Sequence, residues 1–233
     1  MTNPVDDARA AVGDVVRAVK PRLRGWLHAG TFPVALAAGI VLVVLADGPR
    51  ATAATAVYAA SAALLFGISA LYHRGNWSPR AEVRLKRLDH SNIFLIIAGT
   101  YTPFALLLPH DKARTMLLTV WAGAAAGVLF RVFWVGAPRW LYTPIYVALG
   151  WVAVFYFGPL LHFGGPAVVI LMAVGGVLYT LGAVVYGTKR PNPSPRWFGF
   201  HEIFHAFTVL AFIAHYAAAS LAVYGVGSAL SAS

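Results

Sequence analysis

Long apolar runs broken by short polar clusters dominate this chain. Seven stretches, at about 27–46, 51–72, 89–109, 113–135, 140–161, 166–187 and 199–224, approach the roughly 20 residues that cross a bilayer as α-helix. Turn-forming clusters separate them: "DGPR" at 47–50, "PHDKAR" at 109–114, "GAPR" at 136–139, "HFGGP" at 162–166 and "TKRPNPSPR" at 188–196. The pattern predicts an all-α membrane protein, a single seven-transmembrane helix bundle without internal repeats. A polar arm, residues 1–26, precedes it. Within the arm, "ARAAVGDVVRAVK" before Pro21 reads equally as a short interfacial helix or a solvated tail.

Charge sets the expected orientation. Arg9, Arg17, Lys20, Arg22 and Arg24 lie in the arm, Arg74, Arg80, Arg84, Lys86 and Arg87 after the second stretch, Arg139 after the fourth, and Lys189, Arg190 and Arg196 after the sixth. Only Arg50, Lys112 and Arg114 fall on the other side, with Arg131 inside the fourth stretch near the basic side. The positive-inside rule then places the N-terminus in the cytoplasm and, after seven crossings, the C-terminus outside. A signal-peptide reading of residues 31–46, cleaved near "ATA" at 51–53, is disfavoured by the long arm ahead of it.

Composition agrees with the pattern: the 233 residues are 59% hydrophobic and 11% charged. The formal charge of +10 reflects topology and anionic headgroups, so membrane lipids are the expected partners and nucleic acid is not. There is no cysteine, which leaves histidine and carboxylate as candidate metal ligands.

Ionisable groups in or at the ends of the apolar stretches are functional-site candidates, because placing them in hydrocarbon is costly. They are His28, His73, Asp89, His90, Arg131, His201, Glu202, His205 and His215. Ser69 and His73 share one face at the end of the second stretch, Asp89 opens the third, and "HEIFH" opens the seventh. Alternating crossings bring all of these to one depth. Histidines at i and i+4 lie about 6 Å apart along a helix, close enough to share an ion, and a third from another helix leaves a tetrahedral position open. Asp89 and Ser69 are then candidates to hold or deprotonate water. A metal-free polar network joining three helices is the structural alternative. His28 and His90 are expected at the cytoplasmic rim, and His110 and His162 at the outer rim, as headgroup or water contacts. His215 falls about 21 Å from His201 along the same face, too far to share an ion, where it could line a polar path with Thr208 and Tyr216. Read alone, "HEIFH" also matches a zinc protease with Glu202 as base, but a ligand aspartate would then precede the motif and His73 would have no role.

The stretches "SALYHRGNWSPRAEVRLKRLDHSNIFLIIAGTYTPF" at 69–104 and "HEIFHAFTVLAFIAH" at 201–215 closely resemble the bacterial hemolysin III family. That family is grouped with the progestin and adipoQ receptors, and more broadly with membrane-bound, hydrolase-like proteins that include the alkaline ceramidases. The resemblance implies one zinc ion at His73, His201 and His205, with Asp89 and Ser69 beside it, in a multi-pass protein of the bacterial plasma membrane. Glu202, Tyr72 and Asn92 are secondary candidates. Asn92 stands where the receptor branch has glycine before isoleucine, a departure that touches no metal ligand. The implied activity is zinc-dependent hydrolysis of a lipid amide or ester at the cytoplasmic leaflet, with a role in lipid homeostasis. The family name points instead to a pore-forming, cytolytic protein or a membrane sensor with structural zinc.

Overall fold

In a computed structural model, residues 21–231 are described, with side chains described to residue 225. The "ARAAVGDVVRAVK" segment lies outside them. The described chain is helical and contains no β-strand. Its elements are α1 (Trp26–Val44), α2 (Gly48–Arg74), α3 (Pro79–Phe104, continued by a 3-10 turn Ala105–Leu107), α4 (His110–Phe133) and α5 (Arg139–Gly150, continued by a 3-10 segment Trp151–Tyr156). The last two are α6 (Phe157–Thr188) and α7 (Phe200–Ser231).

Six segments among the described residues are long and apolar enough to cross a membrane, which makes this a multi-pass membrane protein. One of them, Arg139–Thr188, is 50 residues long. Drawn straight, it would reach about 75 Å, more than twice the hydrocarbon thickness. It folds back instead. Gly165 breaks the helix at φ 79° and ψ 171°, a conformation open essentially to glycine alone. Residues on either side of the break then meet again: Trp151 Nε1 donates to Thr180 Oγ1 at 2.9 Å, and the Tyr142 and Tyr186 hydroxyls are 3.0 Å apart. The two arms are antiparallel about the "HFGGP" turn.

α3 is the central helix, with 72% of its most apolar window buried against 22–44% in the other spans. It begins at Pro79, ten residues before the apolar run suggested. Ser78 caps it by accepting from the Ala81 N–H at 3.4 Å, and Pro79 occupies the first turn, where no N–H is needed. Hydropathy hides this start because Arg80, Glu82, Arg84, Lys86 and Arg87 populate the first turns.

Polar side chains tie the bundle together where lipid offers no partners. Asn92 Nδ2 donates to Leu64 O at 2.9 Å, joining α3 to α2. Tyr216 joins α7 to α1 through Ala38 O at 2.9 Å, and His215 Nε2 meets Met172 O of α6 at 3.1 Å. Tyr101 serves the backbone freed where α5 gives way to 3-10 geometry. Its hydroxyl donates to Gly150 O at 2.6 Å and accepts from the Ala153 N–H at 2.7 Å.

Candidate functional site

Two helix ends and the body of a third helix build the site. His73 lies in the last turn of α2 one turn beyond Ser69, and both are buried. His201 and His205 stand one turn apart at the start of α7, and Asp89 projects from α3. One ligand nitrogen from each of His73, His201 and His205 lies within 4.8 Å of the others. The ring centroids are 4.5–5.1 Å apart. Asp89 Oδ2 is 3.8 Å from His73 Nε2 and 4.0 Å from His90 Nδ1, and Ser69 lines the same cavity as Asp89.

This arrangement can hold a metal ion. The Nε2 atoms of His201 and His73 face each other at 3.2 Å, a contact between two lone-pair-bearing nitrogens that needs a proton or a cation between them. His205 Nδ1 is buried without a hydrogen-bond partner. Three imidazoles on a rigid helical frame, with a carboxylate alongside, suit a divalent transition-metal ion.

The close approach of α1 depends on Gly25. Its φ of 79° starts the turn into α1, and a Cβ there would lie 2.7 Å from the His73 Cβ. Arg74 covers Trp26 from the neighbouring turn, its guanidinium 3.9 Å from the indole centroid. Arg24 forms an ion pair with Glu202. The other Glu202 oxygen accepts from the Gly199 N–H at 2.8 Å. Glu202 therefore anchors the start of α7 to the segment before α1. Both of its carboxylate oxygens are thus already partnered. Asn92 is likewise engaged between helices and lines neither cavity described below. Tyr72 stays at the site, its ring 4.6 Å from that of His73.

Two histidines expected at the rim are buried instead. His28 is 2% exposed and stacks parallel on His205, with ring centroids 3.8 Å apart, and neither of its nitrogens has a hydrogen-bond partner. His90 is 8% exposed, with Nδ1 near Lys86 O at 2.8 Å and Nε2 near the Tyr186 hydroxyl at 3.4 Å. Distance from the helix end suggested the rim; the neighbours that cover both rings come from distant parts of the chain.

Two cavities meet at these residues. An apolar one of about 120 Å³ runs from His28, Ser69, Asp89, His201 and His205 between Ile93, Ile97, Phe204 and Ala183 to Tyr101, Trp151 and His215. His215 and Thr208 line it, whereas Tyr216 turns away to α1. The other is an open vestibule of about 1120 Å³, bordered by Tyr72, His73, Trp77, Arg131, Arg139 and Phe200. His90, Tyr186 and His201 border both.

The family model described as "Haemolysin-III related" matches residues 16–216, which contain every residue of the site. The chain belongs to the haemolysin-III related family. Among its relatives, "Hemolysin-3" of Bacillus cereus is 35% identical over 175 residues, covering 73% of this chain and 76% of that protein. "Hemolysin-3 homolog" of Bacillus subtilis (strain 168) is 33% identical over 154 residues, covering 66% of this chain and 69% of that one. In this haemolysin-III related protein, the matched region spans both cavities as well as the histidine cluster.

Proposed function

We propose that this protein is a zinc-dependent hydrolase acting on an amide or ester bond of a membrane lipid. The observation that carries the reading is the meeting of the His73, His201 and His205 cluster, beside Asp89, with an apolar cavity on one side and an open polar vestibule on the other. Such a junction suits a lipid, whose chain enters the apolar space while its polar end stays in the vestibule. A zinc ion held by the three histidines would supply Lewis-acid polarisation of a carbonyl and activation of water near neutral pH. Asp89 is placed to take the proton released on attack and return it to the leaving group. Ser69 lines the cavity beside Asp89 and would hold its carboxylate by a hydrogen bond. The engagement of Glu202 with Arg24 and Gly199 supports Asp89 as the base and weighs against a protease reading.

The proposed topology has seven crossings, with each arm about Gly165 counted separately, the N-terminus in the cytoplasm and the C-terminus outside. The basic residues around the vestibule support this orientation, which places the site at the cytoplasmic leaflet.

The test is turnover of ceramide-like lipids and lysophospholipids by purified protein, alongside Asp89→Asn. The reading expects hydrolysis in the wild type and a loss of about 10²–10⁴-fold in the variant. Metal-loaded protein that turns over none of these lipids counts against it.

The name of the Bacillus cereus relative favours a second reading, lysis by a pore in which zinc is structural. Liposome leakage with and without a chelator separates the two: leakage without lipid cleavage supports the pore.

A further inference from the structure

The vestibule is strongly basic. Arg24, Lys86, Arg131, Arg139 and Lys189 border it against the single carboxylate of Glu82, and Arg24 is already paired with Glu202. Arg131 is the unusual member. It sits in the last turn of α4 with 1% of its surface exposed. Its two Nη groups donate to Trp134 O and Val135 O at 3.3 Å, and its guanidinium lies 4.4 Å from the Tyr142 ring centroid. Carbonyls and a π-face solvate a cation but carry no opposite charge, and Arg131 Nε is buried without a partner. Among the described residues, no carboxylate lies within ion-pair distance of Arg131 or Arg139. A buried guanidinium lacking an anion is costly unless an anion arrives from elsewhere.

The surroundings supply further donors. The Arg139 guanidinium lies 4.5 Å from the Tyr186 ring centroid, and the hydroxyls of Tyr142 and Tyr186 are 3.0 Å apart. Lys86, Arg131 and Arg139 border the vestibule together with His90, Tyr142 and Tyr186, so the three cations face one space. We propose that Arg131, Arg139 and Lys86, with the hydroxyls of Tyr142 and Tyr186, form a subsite for a phosphate group, carried by a lipid headgroup or by a soluble phosphate. Two planar guanidinium forks, an ammonium and two phenols match a phosphate's several acceptor oxygens. The Tyr186 ring lies 5.7 Å from that of His201, which puts the subsite next to the histidine cluster. The inference deepens the proposed lipid reading by assigning the substrate an anionic headgroup. Binding itself requires no turnover.

Calorimetric titration of the full-length protein in an uncharged detergent tests it, with dihexanoyl phosphatidic acid, dihexanoylglycerol and inorganic phosphate as probes. The phosphatidic acid should bind at least about tenfold more tightly than the phosphate-free glyceride, and Arg139→Gln and Lys86→Gln should each weaken it about tenfold. Arg131→Gln should weaken it further, and the two partly exposed variants serve if that one fails to fold. Binding of inorganic phosphate with similar affinity supports the subsite with a soluble ligand; binding of the lipid alone supports it with a headgroup. Equal affinity for phosphatidic acid and the glyceride with no binding of phosphate overturns the proposal. So does wild-type affinity in both Arg139→Gln and Lys86→Gln. A His201→Ala, His205→Ala variant should keep its phosphatidic acid affinity, so failure of the metal reading is distinguishable from failure of this one.

Discussion

The imidazole of His28 lies flat on that of His205, with ring centroids 3.8 Å apart and planes within 1°. Phe66 also packs against His28, with ring centroids 5.1 Å apart and planes close to perpendicular. His28 thereby fixes the orientation of one candidate ligand from a helix that supplies no ligand itself. His28→Ala should weaken metal binding by about 10–100-fold, the usual cost of losing a residue that orients a ligand, while leaving the fold intact. Competition with a chromophoric chelator measures it, and unchanged affinity would show that the stack has no part in the site.

The Arg24–Glu202 pair couples residues 178 positions apart and is almost closed to solvent on the Glu202 side. Removing one partner strands a buried charge. Arg24→Ala should destabilise the protein by about 3 kcal/mol, and the double variant Arg24→Ala, Glu202→Gln by clearly less. Thermal unfolding in detergent reads the difference. On the proposed reading Glu202→Gln also keeps its metal and its activity, which a protease using Glu202 as base could not do.

Gly25 faces two constraints at once: a left-handed φ of 79°, and the His73 Cβ only 2.7 Å from where its own Cβ would stand. Gly25→Ala should cost about 1–2 kcal/mol from backbone strain alone, with additional loss from displacing His73. Reduced metal content in the folded variant, measured by elemental analysis, is the specific sign of that displacement.

Tyr101 satisfies backbone groups that the 3-10 segment after α5 leaves open. Tyr101→Phe keeps the ring but removes the hydroxyl, and should destabilise the protein by about 1–3 kcal/mol. A melting temperature equal to the wild type would mean that other groups cover Gly150 O and the Ala153 N–H.

How much of this was legible from sequence depended on the range of the interactions involved. Apolar length marked the spans, and "HFGGP" marked the turn that Gly165 makes, because both are local. His73, His201 and His205 could be brought together from connectivity alone, since each sits at a helix end and the ends alternate sides; Asp89 joins them from inside α3, ten residues after its start, where the apolar run begins. The start of α3 was obscured because hydropathy records only the part of a helix that suits lipid; the cap at Ser78–Pro79 lay among charges. His28 was misplaced for a different reason. Its burial follows from α1 being drawn against α7, which rests on the Gly25 turn and on a pair between Arg24 and Glu202, and no local pattern encodes either. The same holds for Arg131, whose burial depends on Tyr142 from the next helix.

On the proposed reading, His73, His201 and His205 hold one zinc ion. Elemental analysis of the purified protein beside a His201→Ala, His205→Ala variant tests it most directly. About one zinc per chain is expected in the wild type and essentially none in the variant, as for a single three-histidine site. No zinc in the wild type after purification without chelator and reconstitution with the metal, or equal zinc in both proteins, would contradict it.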